Sequence, residues 1–192
     1  TYLHSIFGAH TRLIRQVVST PGVAHIWDVH GAVPEECAYR QKPVLAGKMA
    51  SLEQDVARAA TRIVTVSSAM AQHVAGKHDI PLDRFILLPP HAAAPAITPR
   101  PLSFVYSGSA DAWQGFDAMA AAIAGSRLPA RFTLLVPDEA GARKRLGTVA
   151  SDSRVTLTSD TPDGTRRRLG AFAYGFCLRE DHILNRVACP TK

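Results

Sequence analysis

Three segments of the sequence place polar residues and glycine directly after an apolar run rich in β-formers. They are residues 28–31 (Asp-Val-His-Gly), 66–68 (Val-Ser-Ser) and 107–115 (Ser-Gly-Ser-Ala-Asp-Ala-Trp-Gln-Gly). Parallel α/β sheets bind ligands outside the carboxyl ends of their strands, so these segments are the candidate functional sites. A helix that begins after the third segment could offer backbone N–H groups and a positive dipole end to a phosphate.

Several kinds of site are excluded by spacing. The 107–115 segment matches neither the dinucleotide fingerprint nor the P-loop, and no serine lies in a nucleophile-elbow context. His25 and His30 are five residues apart on one strand and face opposite sides, so no metal site is expected. Glu35 and Glu36 are adjacent and are interpreted as part of a solvated loop, not as an acid–base pair.

The composition is that of an ordinary globular protein, with 46% hydrophobic and 20% charged residues. The net charge of +6 is spread along the chain without the interleaved aromatics of a nucleic-acid binder, so no nucleic-acid partner is expected. Such a charge still allows mild attraction to an anionic membrane surface. The three cysteines show no paired spacing, which favours buried thiols in a reducing compartment.

The elements that position the three segments alternate between strand and helix, which predicts an α/β protein with parallel sheets. The predicted strands are 2–7, 23–29, 62–66, 85–88, 102–107, 131–136, 154–158 and 173–178. The predicted helices are 9–18, 44–60, 68–77, 115–125, 139–147 and 163–170. Five prolines within residues 89–101 exclude a helix or inner strand and predict a stiff linker between two lobes. Each lobe is expected to be partial, because both chain ends look cut.

Four segments, in the right order, resemble retaining family-4 glycosyltransferases. Residues 27–36 (Trp-Asp-Val-His-Gly-Ala-Val-Pro-Glu-Glu) resemble the end of a central strand in that family's first domain, and residues 62–68 its "vitVS" strand. Residues 104–109 are similar to the first strand of the second domain, and residues 178–192 to the stretch leading into its "PtKfxEYlaxGxPV" segment. The resemblance implies a GT-B-like fold of two Rossmann-like lobes. Residues 1–97 would belong to the acceptor-side domain and 98–192 to the donor domain.

The resemblance also implies roles for individual residues. His30 matches the family's first-domain histidine beside the donor sugar and is the expected catalytic residue, with Gly31 and Ser67 on the acceptor side. Ser67 also suits the role of a helix cap. The expected donor-binding residues are Gly108, Ser109, Gln114, Gly115, Arg179 and Lys192. Ser109 and Gln114 stand where the family has an arginine and a lysine that hold the diphosphate.

The implied activity is transfer of a sugar, with retention, from a nucleotide-sugar to a saccharide or lipid-linked acceptor. The resemblance implies no obligatory metal and no cofactor beyond the nucleotide-sugar substrate. It implies a cytoplasmic location, and leaves open peripheral association with the inner face of the membrane. Two alternatives remain: a sugar-nucleotide epimerase of the same fold, and a degenerate, non-catalytic binding module. Residues 1–192 alone are expected to be a poor catalyst.

Overall fold

The structure is a computed structural model that describes residues 1–7, 16, 18–90 and 101–189. The chain divides into two compact units. The first comprises Thr1–His91 together with Asp181–Thr191, and the second comprises Ala92–Glu180 and Lys192. These units differ from the predicted limits of 1–97 and 98–192 at residues 92–97, which fall in the second unit, and at residues 181–191, which return to the first.

The sheet of the first unit has four parallel strands in the order β1-β2-β3-β4. Their bounds are Tyr2–His4 (β1), Ile26–Val29 (β2), Arg62–Thr65 (β3) and Phe85–Leu87 (β4). In β1 and β2 the register pairs His4 directly with Asp28. All four carboxyl ends lie at one edge of the sheet, as they must when the strands are parallel.

Four α-helices of the first unit lie in the described part of the chain: Val33–Tyr39 (α1), Pro43–Ala59 (α2), Ser68–His78 (α3) and Ile183–Arg186 (α7). Helix α2 buries Met49, Leu52 and Val56, whose i, i+3, i+7 spacing places them on one face. Proline stands in the first turn of α1 and of α2, where its missing N–H costs no intrahelical bond. Helix α7 packs against α1.

The second unit repeats the plan with a four-stranded parallel sheet in the order β7-β6-β5-β8. Its strands are Ser103–Ser107 (β5), Arg131–Leu135 (β6), Val155–Thr158 (β7) and Tyr174–Gly175 (β8). Its α-helices, within residues 101–189, are Phe116–Gly125 (α4), Glu139–Leu146 (α5) and Pro162–Leu169 (α6). Side chains of Asp138 and Thr161 cap α5 and α6 by accepting from backbone N–H groups three residues on.

The core of the second unit lies between α4 and the sheet. Phe116, Met119 and Ile123 share one helix face and are fully buried. They belong to the same apolar cluster as Phe132 and Leu134 on β6. This packing fixes where α4 begins, and therefore the position of the 107–115 segment that precedes it.

The two parallel sheets confirm the predicted α/β fold class with two Rossmann-like lobes. Most strands are shorter than predicted, because the pairing extends only as far as the neighbouring strand. The prediction of a polar loop through Glu36 is wrong, since residues 33–39 form α1. Most of the predicted helix 9–18 and of the predicted linker 89–101 lies outside the described residues.

Within residues 1–7, 16, 18–90 and 101–189, no helix combines the length and apolar character needed to cross a lipid bilayer.

Candidate functional site

The carboxylate of Asp28 is the centre of a polar cluster at the carboxyl ends of β1 and β2. The strand register places His4 opposite Asp28, and His30 follows two residues later, so all three side chains share one face. Oδ2 of Asp28 lies 2.8 Å from Nε2 of His30 and 3.3 Å from Nδ1 of His4. It also accepts a hydrogen bond from the Tyr2 hydroxyl. We call Tyr2, His4, Asp28 and His30 the strand-end cluster.

The cluster combines a buried anion with solvent-exposed rings. The side chain of Asp28 is 9% exposed, whereas those of His4 and His30 are 67% and 47% exposed. Burial raises the pKa of Asp28, but the hydrogen bonds from Tyr2, His30 and His4 outweigh it and bring the pKa below its ordinary value. The hydrogen bond between Tyr2 and Asp28 raises the pKa of the Tyr2 phenol, and burial adds to the effect. Asp28 is therefore an ionised acceptor at neutral pH.

An ionised Asp28 selects the tautomer of His30. Nε2 faces the carboxylate at 2.8 Å, so we assign the ring proton to this nitrogen, which donates a hydrogen bond to Asp28. The other ring nitrogen, Nδ1, then has the lone pair of the neutral imidazole. A histidine fixed in this way can accept a hydrogen bond from a hydroxyl group while its ring stays in one orientation.

Ser67 acts as the helix cap that its sequence position indicated. Its side chain accepts from the backbone N–H of Met70 at 3.0 Å and donates to the carbonyl oxygen of Val187 at 2.6 Å. The Ser67 hydroxyl therefore uses its proton in a hydrogen bond to Val187, in the segment that returns to the first unit. The predicted acceptor contact of Ser67 remains a prediction, and so does that of Gly31, where a Cβ would meet open space.

Glu35 is half-buried in α1 and does not belong to a solvated loop. Its Oε1 lies 3.1 Å from Nε2 of His73 and 2.6 Å from Nζ of Lys77. The same ammonium group lies 2.8 Å from Oε2 of Glu53, a buried carboxylate on α2. We call Glu35, Glu53, His73 and Lys77 the interhelical network, because it joins α1, α2 and α3.

The pKa values follow from the pairing. Burial raises the pKa of Glu35, but hydrogen bonds from His73 and Lys77 and the Lys77 charge outweigh it and lower the pKa to about 2. For Lys77, burial lowers the pKa, while its bonds to Glu35 and Glu53 raise it above the ordinary value. The interhelical network is thus an ion-paired structural element.

In the second unit, the 107–115 segment leads from β5 into α4 through a tight turn at Gly115. Its φ of 66° lies in the left-handed region. A Cβ at this position would lie 2.9 Å from the carbonyl carbon of Leu178. The backbone N–H of Glu180 donates to the carbonyl of Trp113 at 3.2 Å. Gly115 is therefore required by the close approach of residues 178–180.

Polar groups around this turn hold one another. The hydroxyl of Ser109 donates to Asp111 at 2.8 Å, and the Tyr106 hydroxyl donates to the Ser109 carbonyl. Burial raises the pKa of Tyr106 to about 12, with the charges of Arg179 and Arg145 acting in the opposite direction and Asp111 in the same one. Arg145 donates to the Ala110 carbonyl in this segment, and Arg179 stands between Leu178 and Glu180, whose backbones contact the turn.

Arg145 is a cation at this turn that the sequence did not single out. It reaches from α5 to form two hydrogen bonds of 2.7 Å with the carboxylate of Asp117, and it also donates to the carbonyl of Ala110. No sequence pattern indicated these contacts, because Arg145 lies about thirty residues from Asp117 and Ala110 and is one of three basic residues in the last turn of α5.

The structure gathers the predicted donor residues Gly108, Ser109, Gln114 and Gly115 in one turn and places residues 178–180 against it. Lys192 lies outside the described residues. His30 and Gly31 lie at the carboxyl edge of the first sheet, and Ser67 follows the neighbouring strand β3. His4 and Tyr2 were missed, since only the register of β1 with β2 brings them to Asp28.

The comparisons with known proteins give a likeness of fold. No family model and no curated protein sequence matches the chain. Among solved structures, the chain is similar to the apo form of the lipopolysaccharide outer core galactosyltransferase WaaB, with a TM-score of 0.55 and 11% identity. The match covers 84% of this chain and 51% of WaaB, so the chain spans about half the length of that enzyme. The likeness supports a GT-B-like glycosyltransferase fold.

Proposed function

We propose that the chain is part of a glycosyltransferase that moves a hexose from a nucleotide-sugar to a saccharide or lipid-linked acceptor, with retention at the anomeric carbon. The observation that carries the proposal is His30, held by Asp28 at the carboxyl edge of a parallel sheet, in a fold similar to that of a galactosyltransferase. The family resemblance of residues 27–36 and 178–192 supplies the retaining mechanism.

His30 is the catalytic residue in this proposal. The anomeric carbon exchanges its bond to the diphosphate oxygen for one to the acceptor oxygen, and the acceptor hydroxyl passes its proton to the departing diphosphate. Positive charge develops on the sugar as the first bond breaks. Nδ1 of a neutral His30 would accept a hydrogen bond from a sugar hydroxyl and stabilise that charge. Asp28 is a positioning residue, because it fixes the tautomer and the orientation of the ring.

The donor would bind mainly on the second unit. The departing diphosphate needs cations or N–H donors. The first turn of α4 supplies backbone N–H groups that no helix can satisfy internally, and Arg179 adds charge near the same turn. No metal is invoked for this step, in keeping with the family resemblance. The proposed setting is the cytoplasm, with the acceptor delivered in solution or at the inner membrane face.

A second function, that of a non-catalytic binding module, is favoured by one observation. The residue in the family's arginine position is Ser109, and its hydroxyl is bound to the carboxylate of Asp111. An acid beside the diphosphate position would weaken the stabilisation of the leaving group. Nucleotide-sugar binding could then persist without transfer.

The test uses the full-length protein. Its melting temperature is measured with UDP-, GDP- and ADP-sugars, and the stabilising donor is then incubated with and without acceptor glycans and lipid-linked saccharides. Formation of a glycosylated product supports transfer. Stabilisation without any product supports the binding module, and an altered donor sugar without acceptor indicates an epimerase. No stabilisation by any donor would contradict all three.

The same assay applied to residues 1–192 alone tests the extent of the active unit. We expect at least a hundredfold lower turnover than for the full-length protein, because the segment covers about half the length of WaaB. Turnover equal to that of the full-length protein would contradict the expectation that residues 1–192 alone are a poor catalyst.

A further inference from the structure

The strand-end cluster has the composition of a metal site as well as that of an oriented histidine. One ring nitrogen from His4, one from His30 and a carboxylate oxygen from Asp28 all lie within 4.8 Å of one another. Two imidazoles and a carboxylate are a ligand set for first-row transition metals, whereas Mg²⁺ and Ca²⁺ prefer oxygen ligands alone. We propose that His4, Asp28 and His30 bind one divalent transition-metal ion, with Zn²⁺ as the best match.

The distances suit an ion of that size. With bond lengths of about 2.0–2.1 Å, ligand atoms around a tetrahedral Zn²⁺ are separated by roughly 3.4 Å. Nδ1 of His4 is already 3.3 Å from Oδ2 of Asp28. Nε2 of His30 is 2.8 Å from the same oxygen, so its ring would move outward by about half an ångström. Side-chain rotation on an exposed ring supplies such a shift.

The backbone holds the three ligands in place before any ion binds. His4 and Asp28 are paired across two parallel strands, and the N–H of Ser5 donates to the carbonyl of Asp28 at 3.0 Å. His30 is two residues after Asp28 and therefore on the same face. Ligands mounted on paired strands lose little conformational entropy on binding.

The surroundings supply the remaining parts of a metal site. The Tyr2 hydroxyl donates to Asp28, as outer hydrogen bonds to a ligating carboxylate do in metal sites. The exposed rings of His4 and His30 leave a path for the ion and open positions for water. Three protein ligands with an open position are typical of exchangeable or catalytic zinc, not of a closed structural site.

Binding would change the hydrogen bonds of the cluster in a defined way. His4 and His30 would present lone pairs from the nitrogens that now face Asp28, and their protons would move to the opposite ring nitrogens. The ion would then neutralise the buried carboxylate directly. This inference needs no sugar transfer, and its test measures metal binding alone. Because the ion would place the His30 proton on Nδ1, the metal-bound cluster and the form that accepts a sugar hydroxyl are alternative states of the same residues.

The test measures Zn²⁺ binding to the full-length protein by isothermal titration calorimetry and by competition with a chromogenic chelator, with Mg²⁺ as a comparison ion. We expect one equivalent of Zn²⁺ per chain and no saturable Mg²⁺ binding. His4→Gln and His30→Gln should each weaken Zn²⁺ binding at least tenfold, because each removes one of three ligands.

Two further variants separate ligands from bystanders. Tyr2→Phe keeps all three ligands and should retain the stoichiometry of one. His182→Asn removes an imidazole from the end of α7 while leaving a side chain suited to an N-cap, and it should bind Zn²⁺ like the wild type. Absence of stoichiometric binding, or equal affinities for the wild type and both ligand variants, would overturn the proposal.

Discussion

Two groups of side chains in the first unit pair histidine with a carboxylate. They differ in whether a lysine neutralises the charge of the carboxylate. In the interhelical network, Lys77 bridges Glu35 and Glu53, so the buried anions have a fixed cation as partner. In the strand-end cluster, the side-chain partners of Asp28 among the described residues are a phenol and two imidazoles. The first arrangement pairs its anions with an internal cation, whereas the second exposes ring nitrogens whose protons and lone pairs can serve a ligand.

Burial separates the two groups in the same way. The side chain of Glu53 is 3% exposed and that of Glu35 19%, and their partners lie between helices. The histidines of the strand-end cluster project from strand ends toward solvent. A polar cluster that is paired with its own cation and enclosed between helices indicates a structural role. One anchored on a buried anion but open on its other side indicates a site.

The largest expected effect follows from removing the His30 imidazole of the strand-end cluster. His30→Ala should lower kcat and kcat/KM together by about 10²-fold or more in the full-length protein, with little change in nucleotide affinity. The matched control is His73→Gln, which removes an imidazole from the interhelical network and should leave turnover within about threefold. Steady-state kinetics and nucleotide titrations on both variants decide the matter. Near-normal turnover of His30→Ala would remove His30 from the site.

For stability, we expect the interhelical network to matter more than the strand-end cluster. Glu35→Gln should lower the free energy of unfolding by about 2 kcal/mol at pH 7, because a carboxylate paired with Lys77 is lost. The folded pKa of about 2 lies below the ordinary 4.5, so this contribution is complete above about pH 5 and disappears as the pH falls toward 2. Urea unfolding of both proteins at pH 7, 5 and 3 measures it. A pH-independent difference would contradict the ion-pair assignment.

Asp28→Asn tests whether the strand-end cluster stabilises the fold or serves the site. We expect a change in unfolding free energy below about 1 kcal/mol, since the freed rings remain accessible to water. Turnover should nevertheless fall on the order of tenfold, because an amide that donates to Nε2 of His30 would move the ring proton to Nδ1. The pH profile of kcat distinguishes this from a general loss of structure, and an unchanged profile with unchanged kcat would contradict the positioning role.

The smallest effect is expected at Ser67, which caps α3 and bonds to the carbonyl of Val187. Ser67→Ala should lower the free energy of unfolding by about 1 kcal/mol, as the loss of a helix cap does. Ser67→Thr retains a hydroxyl and should recover most of that loss. Thermal unfolding of the two variants compares them. Equal melting temperatures for Ser67→Ala and the wild type would show that the cap contributes nothing measurable.

The strands and most helices could be predicted because their signals are local. Alternation of apolar runs with helical periodicity gave the order of elements, and a serine before an apolar stretch gave the α3 cap. Helix α1 was missed because Pro34, Glu35 and Glu36 look like a loop, although proline in a first turn and the spacing of Val33 and Cys37 are helical signals.

The composition of the site could be predicted only in part, because it depends on contacts that are distant in sequence. Asp28 lies on β2 and His30 directly follows that strand, so the two are close together in the sequence, whereas His4 joins them through strand register alone. Gly115 was predicted as a donor contact, but its conformation and the approach of Leu178 already require glycine. A pattern shared with a family indicates where residues lie, and packing decides how many of them are free to bind.

The return of residues 181–191 to the first unit has a consequence for dissecting the protein. Within the described residues the polypeptide passes between the units twice, once between residues 90 and 101 and once between 180 and 181. A single proteolytic cut within the proline-rich stretch would therefore leave α7 covalently attached to the second unit, and only non-covalent contacts such as that of Ser67 with Val187 would hold it to the rest of the first unit. Expression of residues 1–90 alone would omit α7 and leave the Ser67 hydroxyl without its Val187 acceptor. To express the first unit with all its described residues, residues 181–189 must be joined to residues 1–90 by circular permutation or by a short linker.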